Sequence, residues 1–363
     1  MCITTQYLWR ATFKTKPGLT IIELLVALFI LSLTITVVFT VHISNLQIYK
    51  SEVKTAETQM EKILTLEVLR RDIVHAGYGL PWSPDALPTY AEAAAVPASS
   101  YNDAPTDVPR AFLVGNNAVD GTSDYLVIRS ALATINNSTG KWGLSNGGSS
   151  WSPDALGEGG EFDGNDYLIV LEAVEKDLYV AGGNWYCQGN NLGTLTPAGE
   201  DTVYLIYGIN NGAAPRMPFN RVDYYLSADN LPAQCNPNTY VLNRATINHS
   251  DGTSNVEPVL SGVRDFQVAF GLDTDGDDII DAGGWSSTLP RVASDIRRQV
   301  KEVRVFLLCQ EGQRFNTRVT DASSITLGDS DTGNLSTVNL SNEDKNYRWK
   351  ILKVAVRPLN MEE

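Results

Sequence analysis

The chain has 363 residues, 43% of them hydrophobic, enough for one large domain or two ordinary ones with a substantial core. Its 28 Lys and Arg against 42 Asp and Glu give a formal charge of -14. That balance argues against nonspecific nucleic-acid binding, which needs clustered cations to displace counterions from phosphate.

Residues 1–18 hold Arg10, Lys14 and Lys16 and no acid, and end in Pro17-Gly18. From Leu19 to Val41 the only ionisable side chain is Glu23. As helix, that run spans roughly 35 Å, against a hydrocarbon core of about 30 Å. A secretory signal would be cut after its apolar region, at small residues. Here FTVHISNLQIYK runs on as helix, and the glycine suited to cleavage, Gly18, precedes the apolar run. Three cations on the leader side hold that end in the cytoplasm.

This arrangement resembles the class III leader of type IV pilins and pseudopilins. Gly18 stands at the cut, Leu19 becomes the new N-terminus where phenylalanine is usual, and Glu23 is the fifth mature residue. The resemblance implies a prepilin peptidase that cuts between Gly18 and Leu19 and methylates the amine of Leu19. It also gives Glu23 a reason to exist. A carboxylate in hydrocarbon costs about 2–3 kcal/mol, and less near a helix end. Cleavage creates a positive amine in the apolar zone, with which Glu23 of a neighbouring subunit can pair during assembly.

Past Val41 the pattern becomes amphipathic. Leu46, Val53, Ala56, Met60, Ile63, Leu69 and Ile73 recur near heptad spacing with charges between them, and are expected to bury against the rest of the chain. Gly77 and Pro81 stop the helix near Ala76. The expected organisation is leader 1–18, membrane or filament-core helix 19–41, amphipathic continuation 42–76, and a β-rich head 77–363.

The head opens on WSPDAL (82–87), which returns letter for letter at 151–156. Ser83 and Ser152 would cap two similar helical turns. The alternative is a paired partner-binding surface on Trp82 and Trp151. Eight strands are expected, at 124–130, 166–174, 201–209, 221–227, 239–247, 265–272, 301–308 and 349–357, each rich in Val, Ile and Tyr. No long amphipathic helix intervenes, so the sheet is antiparallel and the fold α+β: a long N-terminal helix packed on an antiparallel head.

Two features of the head suggest chemistry. GLDTDGDDIIDAGG (271–284) places Asp273, Asp275, Asp277 and Asp281 at the carboxylate positions of an EF-hand-like loop, with the Ile279 carbonyl between them. Oxygen-only donors select a hard cation such as calcium. Asp278 stands where the EF-hand has glycine and Gly284 where it has a bidentate glutamate, so the expected affinity is modest. The four cysteines, Cys2, Cys187, Cys235 and Cys309, follow no zinc-binding spacing. Cys2 leaves with the leader. In an oxidising compartment Cys187 and Cys235, both in polar, turn-rich segments, are expected to pair, closing a loop of about 48 residues worth on the order of 4 kcal/mol. Cys309 is in phase with Val303, Val305 and Leu307, a buried free thiol.

LRRDIVHAGYGLPW, RVDYYLS, the acidic loop with its preceding strand, VKEVRVFLL and the closing strand ending in VRPLN resemble the PilW family of minor pilins. The resemblance covers the first 80 residues and most of the last 140 or so; the stretch of about 85–200 carries little of it. It implies a structural subunit of the initiation and tip complex of a type IV pilus, working with other minor pilins, the major pilin and a large tip adhesin. The subunit would sit in the inner membrane with its head in the periplasm before assembly, and in the pilus afterwards. A J-type minor pseudopilin of a type II secretion system shares leader and plan. A membrane-tethered adhesin fits the head but leaves Glu23 without a purpose. Enzymatic readings have little material: His42 and His75 fall on the helix, His249 stands alone in the head, and no nucleophile elbow, P-loop or Rossmann pattern occurs.

Overall fold

The computed structural model describes residue 18 and residues 20–83, 89–146, 162–180, 183–190 and 202–361. It divides into two units, Met1–Val53 and Lys54–Glu363. Helix α1, Ile21–Val74, begins in the first and ends in the second. Every residue from Ile21 to Leu46 is exposed, and α1 is the one described helix long and apolar enough to cross a membrane.

Within the second unit, α1 buries Lys62, Thr65, Leu69, Asp72 and Ile73, spaced three or four apart along one face. This corrects the expected stripe. Met60 and Ile63 are 66% and 68% exposed and lie on the opposite face. The buried face tolerates polar residues because the head supplies partners: Thr65 Oγ1 donates to the Val259 carbonyl at 2.5 Å, and Asp72 Oδ2 accepts from Arg244 Nε at 2.8 Å and the Tyr224 hydroxyl at 2.7 Å. The helix ends two residues before the expected Ala76. Gly77 takes φ +82° and donates its N–H to the Arg129 carbonyl at 3.0 Å, out of the helix. A Cβ there would stand 2.8 Å from the Asn360 carbonyl, so the glycine is required both by backbone and by space.

The strands are β1 (Phe112–Val119), β2 (Ser123–Ser130), β3 (Trp142–Asn146), β4 (Asp166–Glu172), β5 (Cys187–Gln188), β6 (Val203–Asn211) and β7 (Asn220–Ser227). Then follow β8 (Tyr240–Ile247), β9 (Ser254–Leu272), β10 (Trp285–Ser286), the short helix α2 (Ala293–Gln299), β11 (Val300–Glu311), β12 (Ser324–Asp329), β13 (Gly333–Asn339) and β14 (Arg348–Val356). A large antiparallel sheet runs β1-β2-β7-β8-β9-β11-β14, with β10 added to β9. All eight expected strands form, but β4 and β6 belong to a second sheet, β3-β6-β4-β5. Since β2 pairs directly with β7 (Leu126 opposite Tyr224), that second sheet is built from chain inserted between two neighbours. The stretch of about 85–200, where family resemblance fades, holds β3, β4 and β5 of this insertion but not β6.

The main core joins Leu69 and Ile73 of α1 to Leu126, Phe266, Leu307 and Val354 of the large sheet. Burying large aliphatic and aromatic side chains contributes about 1.5–3 kcal/mol each. The hairpin β12–β13 covers the other face through Leu327 and Val338 against Phe306 and Leu308. An ionic cluster fastens the segment before β1: Glu92 accepts from Arg129 and Arg221, and Asp103 takes Arg110 and Arg129, with all but Arg110 essentially excluded from solvent.

Cys187, Cys235 and Cys309 are free thiols. The expected Cys187–Cys235 bridge is not formed, because Cys187 packs in the small sheet's core with Phe162 and Leu168 while Cys235 sits beside Gly262 of the large sheet. Cys309 is fully buried as expected, and burial pushes its thiol up to about 12. Of the repeated hexapeptide only Trp82 and Ser83 fall within the described residues. Trp82 lies under the Arg297 guanidinium, 4.4 Å from its ring centroid.

Candidate functional site

Two places carry the residues singled out by sequence. The first is the start of α1. Gly18 is exposed; Leu19 lies outside the described residues. Thr20 donates its N–H and its hydroxyl to Glu23 Oε2, both at 2.9 Å, and the Glu23 N–H returns to Thr20 Oγ1 at 3.3 Å. This is a reciprocal capping box, a threonine followed three residues later by glutamate, satisfying helix-start donors that have no partner within the helix. The Thr-x-x-Glu spacing was available in the sequence and gives Glu23 a second task that the assembly argument alone overlooks. Both bonds fall on Oε2; among the described residues Oε1 has no partner.

The second place is the loop between β9 and β10. Its base is tied by Leu272 N–H to the Gly284 carbonyl at 2.9 Å and Asp281 N–H to the Leu272 carbonyl at 3.0 Å. Asp273, nearly excluded from solvent, accepts the Gly276 N–H on Oδ1 at 2.6 Å and the Asp278 N–H on Oδ2 at 2.9 Å. Desolvation works to raise the Asp273 carboxyl, but these amides and the Lys301 ammonium outweigh it and hold it below the ordinary carboxylate value. One carboxylate oxygen each from Asp273, Asp275 and Asp281 lie within 4.8 Å of one another. Asp277 does not join them. Its Oδ1 accepts the Ile279 N–H at 2.9 Å, and the Ile279 side chain faces solvent. Repulsion, first from Asp277 and further from Asp281 and Asp273, raises Asp275.

Asp278 takes φ +65°, the left-handed conformation that glycine supplies at that position of an EF-hand. Its carboxylate bonds Lys301 Nζ at 2.6 Å, which also stands 3.6 Å from Asp273. The loop thus has the curl and the oxygen donors for a hard cation, with three carboxylates instead of four and one lysine offsetting part of their charge.

The sequence places the chain among known proteins through its second half. Residues 223–360 match the family model of PilW, type IV pilus-assembly protein W. The match runs from within β7 to just past β14, and takes in the acidic loop. No curated protein matches. A solved structure, the type IV-like pilin TTHA1219 from Thermus thermophilus, is similar over 84% of this chain and 98% of its own, at 12% identity and a TM-score of 0.36. The matched part is strands and loops with the short helix α2, and the long apolar helix α1 lies outside it.

Proposed function

We propose that the chain is a minor pilin, a structural subunit of the initiation or tip complex of a type IV pilus. In this reading a prepilin peptidase removes residues 1–18, methylates Leu19, and leaves the subunit anchored in the inner membrane until Glu23 draws it into the filament. The observation that carries the reading is a PilW-like segment in the head of a chain whose helix α1 opens on an apolar stretch, as far as Val41, with one carboxylate, Glu23, in its first turn. Other pilins, the major pilin among them, and a large tip adhesin are its partners, and the periplasm its first compartment. The acidic loop, in the same reading, takes calcium through Asp273, Asp275 and Asp281.

The capping box sharpens the test of Glu23. Glu23→Gln keeps a side chain able to cap the helix but removes the charge, whereas Thr20→Ala weakens the cap and keeps the charge. If Glu23 serves assembly by ion pairing, Glu23→Gln inserts normally and fails to support piliation, while Thr20→Ala supports it. Full piliation with Glu23→Gln would reduce Glu23 to a helix cap.

A further inference from the structure

Three of the strand edges of the large sheet, those of β1, of the second half of β9 and of β14, are finished differently, and the first two are visibly blunted. On β1 the ladder is broken by a bulge between Gly115 and Val119, where Asn117 turns to φ +51° and gives its N–H to Asp124 Oδ1 at 2.8 Å. On the half of β9 beyond its pairing with β8, side chains take the outward amides. Phe266 N–H goes to Asp265 Oδ1 and Val268 N–H to Asp124 Oδ2, each at 2.8 Å, and β10 pairs with Phe270 and Gly271.

The third edge, β14, has no such device. It pairs with β11 through nine consecutive residues, Arg348 to Val356, without a register shift. Among the described residues no main-chain group of Trp349–Val356 bonds anything but β11. An open, regular edge presents every second amide and carbonyl as a template for another strand. Its side chains carry a sign as well. Arg348, Lys350, Lys353 and Arg357 fall in ten residues without an acid, in a chain of net charge -14. Lys353 is held by Asp329; Lys350 and Arg357 are exposed, and Arg348 lies over the Phe315 ring. Charged residues on an edge also deter nonspecific pairing, but that deterrent is like-charge repulsion and disappears for a segment of opposite sign.

We infer that β14 is a docking edge for an extended, carboxylate-bearing segment of another protein, which adds to the large sheet as a further antiparallel or parallel strand. Main-chain hydrogen bonds give the affinity, and Lys350 and Arg357 select the sign. The inference does not depend on the pilus reading.

The test is hydrogen exchange of residues 348–357 in the full chain, in detergent, with a synthetic peptide of alternating glutamate and valine matched to β14 in length. A peptide of alternating lysine and valine is the control. The acidic peptide at about 1 mM should slow exchange of this segment by about fivefold or more, and the basic peptide should leave it unchanged. Lys350→Glu with Arg357→Glu should abolish the effect and transfer it to the basic peptide, at an unchanged melting temperature. No protection by the acidic peptide, or equal protection by both, would overturn the inference. So would protection in the protein alone that grows with its own concentration, which would give the edge to a second copy.

Discussion

Lys62 shows how a single residue can mislead a reading of hydropathy. It lies on the buried face of α1, 3% exposed, and among the described residues its Nζ has no hydrogen-bond partner. Burial lowers its pKa. An ammonium desolvated without a partner is a liability, so Lys62→Met should stabilise the protein by about 1–2 kcal/mol, read as a higher denaturation midpoint at unchanged slope. His249 is the opposite case, a buried polar group fully satisfied. Its Nε2 lies 2.9 Å from Asn220 Oδ1 and its Nδ1 accepts the Arg216 N–H at 3.2 Å, which fixes the neutral ring. Burial, helped by the Arg216 charge, brings its pKa down to about 4 from 6.5. The unfolded chain therefore binds a proton that the folded one refuses. The stabilisation is fully present above pH 6.5 and is lost as pH falls toward 4, by about 3 kcal/mol over that window. A His249→Gln variant should lack this part of the acid loss when melting is followed from pH 7 to 4.

At the scale of elements, the strands were the most legible. Alternation marked β14, with Leu352, Val354 and Val356 turned inward, and β-branched runs marked the other seven. The strands that escaped were polar or glycine-broken, such as β1 with its Gly115-Asn116-Asn117 bend and the β12–β13 hairpin. The helix was found, but its buried face was not, because Thr65 and Asp72 become core residues only through Val259, Tyr224 and Arg244, far away in sequence. Asp72→Ala would leave Arg244 buried without its carboxylate and should cost about 3–5 kcal/mol, whereas Asp72→Asn should cost less. Chemical denaturation of both variants decides it. The acidic loop was legible as a loop, and the gathering of Asp273, Asp275 and Asp281 was legible in part. Alternation suggested Asp277 as a ligand, but its carboxylate turned to its own main chain. Calcium at about 0.1–1 mM should accordingly raise the melting temperature of the full chain. Asp273→Ala with Asp281→Ala should remove that rise, and Asp277→Ala should keep most of it. An absence of any shift, with magnesium as control, would leave a solvated acidic turn.

For the whole molecule, the α+β plan of one long helix and an antiparallel head could be read from the sequence, because membrane-length apolarity and strand alternation are local signals. The division into two sheets could not, since it depends on β2 pairing with β7 across the inserted chain. Nor could the state of the cysteines, which is set by which sheet each one joins. Residues 1–18 are different in kind: in the proposed reading their meaning is enzymatic processing, which no packing argument replaces. Intact mass of the protein recovered from membranes of a piliated host is the most direct measurement. The expected species lacks residues 1–18, begins at Leu19 with one added methyl group, and has lost Arg10, Lys14 and Lys16, taking the formal charge from -14 to -17. A protein that keeps residues 1–18, or one cut after the apolar run near Val41, would contradict the minor-pilin reading.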